Sequence, residues 1–116
     1  MSNFFITIVA SLALCPAIGF AQTMSGQAIS GAGTSTCIKY IEGASNRDLA
    51  DLYITWMQGF LSGMNVANRM STGEDLFVLP NTNNIRAYLD KYCRQNPNKS
   101  PMTAGMAMFH EIQKNK

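Results

Sequence analysis

At 116 residues the chain has room for one small domain and no more. Nine Lys/Arg against seven Asp/Glu give a formal charge of +2, and charged residues make up only 14%. With no basic run and no interleaving of basic and aromatic residues, the composition argues against a nucleic-acid partner.

In chain order, Phe4 to Leu14 (FFITIVASLAL) is an uncharged apolar run of the length found at the centre of a signal peptide. Gly19-Phe20-Ala21 follows, with small residues at the two positions a signal peptidase reads. The expectation is a secretory signal peptide over residues 1–21, cleaved after Ala21. An uncleaved membrane anchor would need roughly 20 apolar residues, more than this run supplies. A lipidated Cys15 would follow Leu14, which is bulky for that position. No stable membrane insertion is expected after cleavage.

Residues 22–35 are small, polar and rich in Gly and Ser, without periodicity, and read as a flexible N-terminal arm. The domain is expected over residues 36–116. Loss of the signal peptide removes Cys15 and leaves Cys37 and Cys93, an even count in an exported chain, which favours one disulfide. It would close a loop of roughly 57 residues, worth about 4 kcal/mol in the chain-entropy model. A domain this small has a marginal core, so a staple is expected. The alternatives have no supporting pattern. The single histidine, His110, would have to serve as base to a nucleophilic Cys93, and two cysteines with one histidine match no zinc spacing.

Cys37, Tyr40 and Ile41 fall at helical spacing, capped by Ser35 or Thr36, which predicts a short helix closed by Gly43. The strongest element runs from Asn46 to about Met70. Asn46 can cap it, and Asp48 suits the positive end of the helix dipole. Leu49, Leu52, Tyr53, Trp56, Phe60 and Met64 are expected to face the core. Beside them Gly59, Gly63 and Ala67 form a seam of small residues. Interior glycines cost about 1 kcal/mol each relative to alanine, so the seam is expected to be where another helix approaches closely. A membrane-type GxxxG contact fits poorly, because Gln58, Asn65, Asn68 and Arg69 interrupt any apolar span.

Residues 71–84 form a loop in which Leu76-Phe77-Val78-Leu79 reads as extended chain on the core or as a strand-like edge, ended by Pro80. Thr82 or Asn83 caps a third helix through Ile85, Tyr88, Leu89, Tyr92 and Cys93. After the Asn96-Pro97 break, Ser100-Pro101 is a helix start, an N-cap followed by proline at the first helical position. This fourth helix extends to about Lys114, with Met102, Met106 and Phe109 as its buried stripe. The fold class expected is all-α, a small orthogonal bundle of three to four helices stapled by one disulfide.

No glycine-rich phosphate loop, GxSxG or HExxH occurs, and the one adjacent carboxylate pair, Glu74-Asp75, sits in a polar loop. No enzyme activity, cofactor or metal is expected. Eight methionines are the compositional oddity. Met57, Met64, Met102, Met106 and Met108, with Trp56, Phe60 and Phe109, read as core or as an adaptable apolar surface for protein partners.

Four features together resemble the HdeA/HdeB family of small periplasmic acid-stress chaperones: the signal peptide and polar arm, TCIKYI from Thr36 to Ile41, a long central helix bearing Trp56, and YCRQNPNK from Tyr92 to Lys99. The glycine-containing GFLSGMN stretch and the Met-rich last helix depart from the family pattern. The resemblance implies a periplasmic, helical, single-disulfide homodimer that loosens in acid and holds unfolding clients. Protonating all seven carboxylates and His110 leaves nine Lys/Arg and one His charged, taking the side chains from +2 to +10. Self-repulsion of that size loosens compact states. A second resemblance rests on YLDKY at Tyr88–Tyr92 with Asn96-Pro97, and is to type VI secretion immunity proteins of the Tai type. It implies one toxin bound at neutral pH. An envelope protein with an interaction role and neither activity is the third reading.

Overall fold

The computed structural model describes residues 29–115. The expected signal peptide, the expected cleavage after Ala21 and residues 22–28, half of the expected arm, lie outside them. A 3-10 turn at Ala32–Thr34 precedes four helices: α1 (Cys37–Gly43), α2 (Arg47–Thr72), α3 (Thr82–Gln95) and α4 (Pro101–Lys114). No strand occurs among the described residues, so the all-α, disulfide-stapled class is the observed one. None of these helices is long and apolar enough to cross a membrane.

The helix starts follow from their caps. Thr36, Asn46, Asn81 and Ser100 each accept a hydrogen bond from a backbone N–H in the first turn of the helix that follows. Such bonds satisfy donors that the helix itself leaves without partners. The cap of α3 is therefore Asn81, rather than the expected Thr82 or Asn83. Ser100 and Thr103 form a reciprocal capping box ahead of α4. Helix α2 runs past Met70 to Thr72 and stops at Gly73, whose φ of 73° only glycine adopts cheaply and whose N–H bonds Arg69 C=O.

Cys37 and Cys93 are bonded and fully buried. The Asn96-Pro97 turn does more than end α3. Its carbonyls accept from the first N–H groups of α1: Cys37 N–H to Lys99 O at 2.8 Å, and Ile38 N–H to Pro97 O at 3.2 Å. The two cysteine-bearing segments are thus joined by backbone bonds as well as by sulfur. Buried Tyr40 adds a third tie, donating its hydroxyl to Asp90 on α3 while meeting Tyr53 edge-on at 5.2 Å. Burial first, then the Asp90 carboxylate, holds the Tyr40 hydroxyl well above the usual tyrosine range.

The core lies between α1, α3 and α4 on one side and α2 on the other. The residues α2 buries are Ala50, Ile54, Met57, Leu61 and Asn65. This corrects the expected stripe. Leu49 and Leu52 are exposed, and Tyr53, Trp56, Phe60 and Met64 are only partly covered at its edge. The helix carries apolar residues on two faces, and α1, α3 and α4 cover only one.

Asn65 is the buried polar residue of the core, and it replaces a strand pairing. Its amide donates to Phe77 O at 2.9 Å and accepts from Phe77 N–H at 3.0 Å. That pair of hydrogen bonds ties the 76–79 loop to α2, with Phe77 edge-on against Phe109 at 5.9 Å and Val78 in solvent.

Candidate functional site

Residues 29–35, the described half of the expected arm, pack against α2. The reason is Trp56. Its indole N–H donates to Ser30 O at 2.8 Å, and the 3-10 turn lies over its ring. A Cβ added to buried Gly33 would sit 2.0 Å from the Trp56 ring, so only glycine fits there. Gly31 has φ 98°, and a Cβ added there would lie 2.8 Å from the indole. Ser35 completes the clamp through a 3.0 Å hydroxyl contact with Tyr53.

Trp56 in turn stacks on Phe60, with centroids 4.9 Å apart and rings 16° from parallel. This fixed aromatic pair walls a groove of about 610 Å³ along α2. Gly59, Gly63 and Ala67, with Thr55, Met64, Ile29 and Ser30, complete its lining. No charged residue lines it. The sequence from Leu52 to Asn68 contains none at all.

The seam of small residues is therefore open rather than a helix contact within the chain. A Cβ at Gly59 or Gly63 would meet nothing within 4 Å among the described residues. The glycine where helices do approach is Gly105 of α4, which is buried. Its Cβ would come within 2.8 Å of the Phe60 ring and 3.2 Å of Met57 Sδ. Sequence periodicity could not separate the two kinds, because both sit mid-helix among apolar residues.

The remaining candidates divide. Met57 and Phe109 are core, with Met108 beside them. Met102 is partly covered, and Met106 is half-exposed, so the expected stripe of α4 is corrected to Pro101, Ala104, Gly105, Met108 and Phe109. Trp56, Phe60, Met64, Gly59, Gly63 and Ala67 come together as one surface. His110 is exposed, and Cys93 is consumed by the disulfide. No group of three or more His, Cys, Asp or Glu among the described residues is arranged to hold a metal.

A second, more polar cleft of about 410 Å³ lies between α3 and α4. There Tyr88 donates to Glu111 at 3.2 Å, and burial together with that carboxylate pushes its hydroxyl up to about 12. Its polar walls suit water better than an apolar ligand. Compared with protein-family models, with curated proteins and with solved structures, the chain has no match.

Proposed function

We propose that this chain is an exported, non-enzymatic protein-binding protein of the periplasm, and that the α2 groove is where it takes apolar segments of other proteins. The observation that carries this reading is the groove itself: uncharged, aromatic-walled and open, on a stapled domain small enough to need all its apolar surface for its core. The motif resemblance to the HdeA/HdeB chaperones makes the activity that of an acid-stress holdase. On that reading the charge rise from +2 to +10 loosens the bundle at its edges while the disulfide and the Asn96–Lys99 turn keep α1 on α3.

The test is suppression of client aggregation from pH 3 to pH 7 by the oxidised protein, beside Gly63→Lys. A lysine there enters open space, so the fold tolerates it, and it stays charged in acid. Suppression near pH 3 to 4 that Gly63→Lys largely abolishes is the expected result. Absence of suppression at every acid pH, or equal suppression by the variant, sinks the reading.

One observation favours a second reading. The groove is formed in the folded chain and needs no loosening to be reached, which suits a single partner bound at neutral pH, as in an immunity protein of the Tai type. Tight capture of one toxin at pH 7, lost in Gly63→Lys, would replace the chaperone reading with this one.

A further inference from the structure

Asn65 bonds both the N–H and the C=O of Phe77, at 3.0 Å and 2.9 Å. One side-chain amide reaches both groups only where they point to the same side of the chain, as in a hydrogen-bonded residue of an antiparallel ladder. Phe77 is therefore extended, and Asn65 stands where a neighbouring strand would. The burial pattern agrees. Phe77 and Leu79 pack on the core, while Leu76 is 53% exposed and Val78 93%. That is the period-two alternation of a half-buried strand, in a chain whose described residues form no sheet.

In an extended segment the backbone groups of Leu76 and Val78 point the other way from those of Phe77, away from Asn65 and α2. Among the described residues, neither Leu76 nor Val78 has a hydrogen-bond partner for its N–H or its C=O. Two donors and two acceptors thus form a free edge about 7 Å long. It is short by construction. Glu74 and Asp75 precede it, and Pro80, which has no N–H, follows two residues after Val78.

We propose that Leu76–Val78 is a second docking site, separate from the α2 groove, which takes an extended segment of another protein as an added strand. The segment pairs with the N–H and C=O of Leu76 and of Val78, four hydrogen bonds in all. An extended chain fits because its own unpaired groups repeat at the spacing of this edge. A helical segment does not fit, because it spends its backbone groups on itself.

Side chains and charge narrow the partner further. The residues that come to lie beside Leu76 and Val78 are apolar or β-branched, since both of those stand in solvent and cross-strand pairs of that kind are favourable. Residues 69–80 hold Glu74 and Asp75 against Arg69, a formal charge of −1 in a chain of +2. A Lys or Arg at the end of the segment beside Asp75 complements that charge. Four hydrogen bonds between solvated groups make a weak site, so a free peptide binds in the millimolar range.

The experiment titrates the oxidised, nitrogen-15-labelled protein at neutral pH with two blocked peptides of alternating valine and threonine, a lysine at each end. One of them is N-methylated at every central amide. The plain peptide should shift the amide signals of Leu76 and Val78 and slow their exchange several-fold, and the methylated one should do neither. Val78→Pro removes a donor that has no partner in the chain, and the residue before a proline is held extended, so Phe77 keeps its bonds to Asn65. That variant should bind the plain peptide at least tenfold more weakly. Gly63→Lys, which fills the α2 groove, should bind it as the unaltered chain does. Equal binding of the methylated peptide, or equal binding by Val78→Pro, overturns the proposal by removing backbone pairing as its basis. Loss of binding in Gly63→Lys overturns it by placing the peptide in the α2 groove. So does the absence of any shift at Leu76 and Val78 up to about 5 mM peptide.

Discussion

Gly105 and Gly63 make opposite predictions from the same substitution. Alanine at either relieves the backbone entropy of a mid-helix glycine, a gain of roughly 1 kcal/mol. At Gly63 the new methyl meets nothing within 4 Å, so that gain stands alone. At Gly105 the methyl lands 2.8 Å from one carbon of the Phe60 ring and 3.1 Å from another. Carbon atoms prefer about 3.5 to 4.0 Å, so the ring has to retreat by close to 1 Å. It cannot swing freely, because it is stacked on Trp56 and Trp56 is bonded to Ser30 and crowded by Gly33. Met57 Sδ, at 3.2 Å, can yield more easily. Overpacking of this kind costs about 1–3 kcal/mol, leaving Gly105→Ala a net loss of about 1 kcal/mol. At about 4–8 °C per kcal/mol for a domain of this size, the two variants should differ in Tm by roughly 10 °C, with Gly63→Ala the higher. Thermal unfolding followed by far-ultraviolet circular dichroism reads this directly. A Gly105→Ala protein as stable as Gly63→Ala would refute the packing account of both glycines.

Asn65→Leu should cost about 2–3 kcal/mol in urea unfolding, because the Phe77 N–H and C=O lose their partners in a half-buried place. Amide exchange at Phe77 should rise well beyond that of the α2 interior, and an unchanged rate would contradict the bridging role. Tyr40 and Tyr88 both hold their protons to higher pH when folded than the ordinary value of 10.0. Below that value both states are protonated and stability is level. Above it the unfolded chain loses protons that the folded chain keeps, so stability falls as pH rises from about 10 towards 12. The Tyr40→Phe/Tyr88→Phe double variant should lose less stability across that window, and an identical slope would exclude both tyrosines as its source. Gly33→Ala forces the indole out from under the 3-10 turn, and Trp56 is the only tryptophan. Its emission should shift to the red without loss of helical signal, and unchanged emission would show the clamp to be looser than described.

Much of the fold was legible because it rests on local chemistry. The start of α2 at Asn46, of α4 at Ser100-Pro101 and the end of α1 at Gly43 follow from capping groups and turn residues that act within a few positions of themselves. The Cys37–Cys93 bond followed once Cys15 was set aside with the expected signal peptide. The identity of the buried face of α2 did not follow. Leu49, Leu52 and Trp56 are as apolar as Ile54, Met57 and Leu61, and helical periodicity finds both sets equally. The site suffered the same ambiguity. The glycine seam was visible in the sequence, but its being open to solvent was not.

The sequence by itself determined where α2 and α4 begin and, once Cys15 is set aside with the expected signal peptide, that Cys37 pairs with Cys93, because caps and breakers act locally and two cysteines make one pair. Three things were decided only in the tertiary structure. Folding of residues 29–35 over Trp56 depends on Gly31 and Gly33 meeting a ring more than twenty residues away. The bridging of Phe77 by Asn65 depends on a loop returning to the middle of α2. The exposed face of α2 was set by which side α1, α3 and α4 cover. Those contacts lie between residues distant in the chain, and a spacing pattern along one helix does not record what packs against it.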